Sequence, residues 1–188
     1  HQRFFEPEPG GHRYAYQLVQ QVANLNRGIY LEETVQDGFK TDFCIGVAGY
    51  PEKHYEAPNM EVDLQNLKKK VDAGAHYVVT QMFFDNRVYF DFVKRAREVG
   101  INVPIIPGIK PLTNKKQLES IPRTFHVSIP VELYKEISRC KDNESARQVG
   151  IEWAAQQCKE LMEAGVPCIH IYTMSNPDHI VELMKKLF

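Results

Sequence analysis

Short apolar runs alternate with amphipathic stretches along the whole chain. The segments "DFCIGVAGYP" (42–51), "HYVVTQMFF" (76–84), "VPIIPGIKPL" (103–112) and "VPCIHIYTM" (166–174) are almost continuously apolar, the pattern of strands buried on both faces. The intervening stretches have helical periodicity. "YAYQLVQQVAN" (14–24) puts Leu18 and Val22 on one face and is closed by Gly28. The next helix carries Met60, Leu64, Leu67 and Val71 at i, i+4, i+7 and i+11. Further helices are predicted over 86–100, after a Thr113 or Asn114 cap, near 130–139, over 143–164, and in "NPDHIVELMKKLF" at the end.

Strand and helix therefore alternate four times, which predicts parallel strands with helical crossovers: an α/β protein, either doubly wound or of (βα) barrel type. No G-x-G-x-x-G turn follows a strand and no P-loop motif occurs, so neither nucleotide-binding turn has support. The strands share a different feature. Each carries a polar or proline-marked position near its C-terminal end, at Tyr50, Gln81, Lys110 and Tyr172, and barrel enzymes build their sites at that rim. A whole barrel needs eight strands and about 250 residues. The expectation is thus one domain, 1–188, holding about four units of a partial (βα)8 barrel.

The helix from Met60 carries a second stripe, since Asp63, Asn66 and Lys70 fall together about a quarter-turn from its apolar centre. Such a flank is either a solvated face or a surface turned to a ligand.

Composition narrows the classes. The 188 residues are 43% hydrophobic and 25% charged with a formal net charge of -1, and lack a concentrated basic run, which argues against a nucleic-acid platform or a polybasic membrane surface. Four cysteines with no C-x-x-C pair argue against a disulfide framework or a structural zinc, and fit a reducing cytoplasm. No metal site is expected, because Cys168 and His170 share a strand face without further ligands. Neither a signal-peptide core nor a run of membrane-spanning length is present, and His1 in place of Met leaves room for a segment upstream.

Among single residues, Gln81 is either a satisfied interior amide or a donor and acceptor for a heterocycle edge. His54 is an exposed loop histidine or a ligand contact. Lys110 is a plain rim lysine or a Schiff-base nucleophile. Tyr14, Tyr50 and Tyr172 are stacking surfaces or packing residues with tethered hydroxyls.

Taken together, "GYPEKHYEA", "DLQNLKKKVDAGA", "TQMFFD", "PIIPGIKPL" and "IHIYTM" occur in an order and spacing that resembles the methylenetetrahydrofolate reductase family from Tyr14 to Phe188. The resemblance implies the second half of a TIM-type (βα)8 barrel holding FAD at its C-terminal rim. It implies a reaction in which NADH or NADPH reduces the flavin and 5,10-methylenetetrahydrofolate is reduced to 5-methyltetrahydrofolate, in one-carbon metabolism and methionine biosynthesis. Carried over by position, Tyr14, Ala15, Tyr50, His54, Ala57, Asp63, Asn66, Lys69 and Lys70 match flavin-binding positions of the family, and Gln81 and Gln117 match substrate-binding ones. Two departures stand out. Ser175 and Asn176 occupy positions where the family commonly has asparagine and a folate-contacting arginine. The family's proton-donating glutamate would lie upstream of His1, so the 188-residue chain alone is expected not to turn over folate, and to associate with a second copy or with the missing barrel half. The alternative reading is a noncatalytic ligand-binding or assembly module of barrel origin.

Overall fold

The computed structural model describes all residues except 1–4, 33, 36, 37 and 174–176. In chain order its elements are α1 (Ala15–Asn26), β1 (Gly46–Gly49), α2 (Met60–Asp72), β2 (Tyr77–Met82), α3 (Asn86–Glu98), β3 (Ile105–Ile109), α4 (Gln117–Phe125), α5 (Val131–Arg139), α6 (Asn143–Glu163), β4 (His170–Ile171) and α7 (Asp178–Leu187). Local chemistry sets several starts. Asn59 accepts a bond from Val62 N at 2.9 Å to open α2, Asp85 one from Arg87 N at 2.9 Å to open α3, and Asp142 one from Ser145 N at 2.8 Å to open α6.

The strands form one parallel sheet in the order β1-β2-β3-β4. Each strand lies beside its predecessor and the order never reverses. That winding belongs to a barrel rather than a doubly wound sheet, whose strand order turns back at a switch point. All C-terminal strand ends consequently meet at one rim.

The predicted apolar stripe of α2 is buried as expected. Leu64 and Leu67 are core residues, with Met60 and Val71 packed against them, and they join Val78, Ile105 and Ile109 of the sheet, Phe92 of α3, Ile151 of α6 and Leu183 of α7. A second cluster, built from Met82, Phe84, Leu112, Leu118, Ile121, Leu133 and Ile137, holds α4 and α5 near the rim. Helix α6 comes so close to the chain leaving β3 that a side chain at Gly150 would meet the Leu112 carbonyl oxygen at 1.9 Å.

Two expectations need correcting. The fourth apolar run spans nine residues, but among its described residues only His170 and Ile171 enter the ladder, opposite Gly108 and Ile109. Nor is this run buried on both faces as expected: Pro167, Cys168 and His170 are exposed and Ile169, Ile171 and Tyr172 half-buried, because β4 lies at the edge of the sheet with β3 on one side. Helix α4 begins at Gln117 rather than directly after Thr113 or Asn114. Asn114 Oδ1 accepts from Gln117 N at 3.2 Å and Gln117 Oε1 from Thr113 N at 2.6 Å, closing a separate turn first. Among the described residues, no helix is long and apolar enough to cross a membrane.

His179, in the first turn of α7, is only 4% exposed. Burial first, then Lys110 and Arg147, push its pKa below 6.5, against the opposing pull of Asp178 and Glu182. The unfolded chain thus binds a proton that the folded chain resists, so stability is lost as pH falls below that value. The melting temperature should drop more steeply between about pH 7 and about pH 5 in wild type than in His179→Gln, as differential scanning fluorimetry would show.

Candidate functional site at the C-terminal rim

A bulge sets the rim. The pairing of β2 with β3 shifts register between Val79 and Met82, and Gln81 stands in that irregularity. Thr80, fully buried, accepts a bond from Gly108 N through its hydroxyl oxygen at 2.9 Å, and its carbonyl accepts from the Tyr172 hydroxyl at 2.9 Å. This crossing requires a glycine, because a side chain on residue 108 would lie 2.3 Å from the Thr80 carbonyl oxygen and 2.7 Å from the Tyr172 ring. Tyr172 is accordingly a tethered packing residue, with its pKa raised by burial and by the neighbouring Tyr50.

The loop after β1 is held by its own groups and by α2. Lys53 adopts φ 80, a conformation unfavourable for a side chain, and its ammonium group donates to the carbonyls of His54 at 2.9 Å and Ala57 at 2.7 Å. Asp63, 8% exposed, accepts from His54 N at 2.9 Å. The Tyr50 and His54 rings meet edge to face at 4.5 Å, and Tyr55 stacks on His126 at 5.0 Å. Ser128 N donates to both Glu52 carboxylate oxygens at 3.0 Å, tying the loop to the chain beyond α4.

The second stripe of α2 is therefore more than a solvated face. Asp63 supports the loop, and Lys70 donates to the Ala48 carbonyl at 2.5 Å. Burial lowers the Lys70 pKa while Asp63 pulls it back up, and burial followed by Asp63 raises that of Tyr50. Asn66 remains exposed on the same flank, and Lys69, about 100° round the helix from Lys70, is exposed on the side away from the core.

Tyr50, His54, Tyr55 and Gln81 line a cavity of about 170 Å³ closed by Phe125 and His126 at the end of α4. Ligand sites usually span roughly 300–1,000 Å³, so these residues enclose only part of one. Gln81 Oε1 accepts from Met82 N at 3.0 Å, which leaves its NH2 group to bond a ligand. The amide expected to donate and accept is here chiefly a donor.

The other sequence candidates lie apart from this cavity. Tyr14 and Ala15 start α1, with Tyr14 55% exposed and stacked on Tyr16. Ala57 is buried beneath the loop, and Gln117 is occupied by its local turn with Thr113. Lys110 is 4% exposed, unlike a plain rim lysine. Ser175 and Asn176 lie outside the described residues. Sequence reasoning missed Tyr55, Phe125 and His126. Only the aromatic density of "HYEA" pointed to the first. His126 is a left-handed C-cap (φ 55) that no motif marks.

A sheet wound in sequential order, with aromatic, amide and charged groups gathered at its C-terminal strand ends, defines a portion of a (βα) barrel protein with a rim site. The methylenetetrahydrofolate reductase family model matches residues 1–188, and the chain belongs to that family. It is 36% identical over 163 residues to a probable methylenetetrahydrofolate reductase (NADPH) of Caenorhabditis elegans, covering 86% of this chain and 25% of that protein. It is 38% identical over 155 residues to methylenetetrahydrofolate reductase (NADH) 1 of Arabidopsis thaliana, covering 77% and 26%. It is 41% identical over 138 residues to the Escherichia coli 5,10-methylenetetrahydrofolate reductase, covering 73% and 47%. The chain thus spans between about a quarter and a half of these relatives. Among solved structures, a Clostridium thermocellum protein described as binding two copies of 5-methyl-5,6,7,8-tetrahydrofolic acid shares the fold. Its TM-score is 0.56 at 21% identity, over 78% of this chain and 52% of that one.

Proposed function

We propose that this chain forms part of a flavin-dependent reductase that carries hydride from NADH or NADPH through FAD to 5,10-methylenetetrahydrofolate. The observation that carries the reading is the link from α2 to the rim. Asp63 is buried to hold His54, His54 packs against Tyr50, and both rings line the cavity that Gln81 borders.

The residues present fit a flavin in their chemistry. Flat rings stand at the strand ends, and ammonium groups stand on the adjoining flank of α2, as a planar heterocycle with an anionic tail requires. Tyr50 and His54 would border the ring system, Asp63 and Asn66 would hydrogen-bond its polar groups, and Lys69 and Lys70 would meet its pyrophosphate. When bound, FAD accepts a hydride from one substrate and gives it to the other. Relatives named for NADH and for NADPH support a nicotinamide as the donor. Gln81, with its oxygen held by Met82 N, offers an N–H to a carbonyl of the folate or of the nicotinamide amide.

Gln81→Glu tests this role in the full-length protein. The change nearly preserves shape but removes the amide donor, so the folate half-reaction should slow by about tenfold or more while flavin content is retained. Stopped-flow rates matching wild type in both half-reactions would reduce Gln81 to a structural group.

A further inference from the structure

Among the described residues, Lys53 (φ 80) and His126 (φ 55) are the non-glycine positions with a left-handed backbone, and both line the cavity that Gln81 borders. Such residues are costly and persist where their surroundings fix them, which is most often at functional sites. Lys53 has a local account. Its N–H closes a turn on the Tyr50 carbonyl at 3.0 Å, and its ammonium group holds the carbonyls of His54 and Ala57. His126 ends α4, with its N–H on the Pro122 carbonyl at 2.9 Å. Glycine would take that left-handed position without strain, so what the histidine adds is its ring.

That ring has a partner. It lies against Tyr55 with centroids 5.0 Å apart and planes 25° from parallel, and Tyr55 in turn meets the His54 ring at 4.8 Å. A second tie lies two residues on, where Ser128 N donates to both Glu52 carboxylate oxygens at 3.0 Å. Two contacts fix the orientation of the loop as well as its distance. Because β2 stands between β1 and β3 in the sheet, the loop after β1 and the segment ending α4, which follows β3, meet across the end of β2, where Gln81 stands. The inner part of the loop is held separately, by the Asp63 carboxylate on His54 N at 2.9 Å.

We infer that His126 is a positioning residue, which holds the Tyr55 ring as a wall for the planar ring, pterin or nicotinamide, that bonds the Gln81 amide. The identity of that ring rests on the reductase reading; the placing of Tyr55 by His126 does not. Tyr55 is 53% exposed beside the cavity, surface that a flat ring at Gln81 would cover. Loss of the His126 ring frees Tyr55 and the outer loop, while Asp63 still holds His54 against Tyr50. Substrate binding is therefore affected and flavin is retained.

The test uses His126→Gly, Tyr55→Leu and the double variant in the full-length protein. Glycine keeps the left-handed turn, so His126→Gly should melt near wild type, yet amide hydrogen exchange over 50–57 should be faster. Its flavin content and kcat should match wild type to within about twofold, and the KM for the substrate that bonds Gln81 should rise about 3- to 10-fold, the effect of losing an aromatic pair. Folate reduction reads the pterin, and an NADH–menadione assay reads the nicotinamide. If His126 acts through Tyr55, the double variant has the KM of Tyr55→Leu alone. A rise in either KM with that non-additivity supports the assignment. Faster exchange with both KM values unchanged would make His126 a structural residue and overturn it, as would additive effects or exchange equal to wild type. A wild type that turns over neither substrate would remove the reductase reading, and the exchange rates would then decide the placing of Tyr55 by themselves.

Discussion

Gly108→Ala is expected to destabilise the protein by about 2–4 kcal/mol and to disturb the rim with it. The new methyl group would stand 2.3 Å from the Thr80 carbonyl oxygen, a backbone atom that cannot swing aside as a flexible side chain does. Relief requires β2 and β3 to separate or Tyr172 to leave, and either breaks the 2.9 Å bonds made through Thr80. For a chain of this size that loss corresponds to roughly 5–15 °C in melting temperature. Tyr172→Phe is the control, since it removes the hydroxyl without adding bulk and should cost only about 1 kcal/mol. Equal stabilities of Gly108→Ala and wild type in urea titrations would show that the strand crossing is looser than described.

Asp63→Ala is expected to weaken FAD binding by about 10- to 100-fold, the effect of losing a charge-assisted contact of about 1.5–3 kcal/mol. The carboxylate accepts the His54 backbone N–H, lies close enough to Tyr50 and Lys70 to shift both pKa values, and is itself buried. Its removal frees the loop that carries the two rings. Asp63 also lies on no core stripe, so the apolar packing of Leu64 and Leu67 should survive, and the stability cost should stay near 1 kcal/mol. Asp63→Asn keeps an acceptor for His54 N and should recover loop order but not full affinity. Flavin titration by fluorescence quenching in the three proteins checks both parts; equal affinities in all of them would leave Asp63 with a folding role alone.

Much of this was legible in the residues because burial leaves a periodic mark. Met60, Leu64, Leu67 and Val71 announced α2 and its buried face, and the apolar run around Ile109 announced a strand largely covered on both sides, whereas the run around Val78 is a strand that alternates buried and half-exposed positions. The polar flank was visible too, but only the folded structure separates Asp63, which is buried and bonded, from Asn66, which is exposed. Helical spacing gives direction around an axis and says nothing of what a neighbouring loop brings to it. The contact of Tyr55 with His126 was not legible at all, since it joins positions far apart in sequence through a left-handed residue. The brevity of β4 was hidden for a similar reason, because a ladder is a property of two strands.

The central claim is that Tyr50, His54, Asp63 and the lysines of α2 belong to a flavin site serving two substrates in turn. Anaerobic absorbance spectroscopy of the full-length protein tests it most directly. The protein should purify with, or take up, a chromophore with the spectrum of oxidised flavin, lose that absorbance on addition of NADH or NADPH, and regain it on addition of 5,10-methylenetetrahydrofolate. A protein that folds yet takes up no flavin, or whose reduced flavin is left unchanged by methylenetetrahydrofolate, would contradict the account.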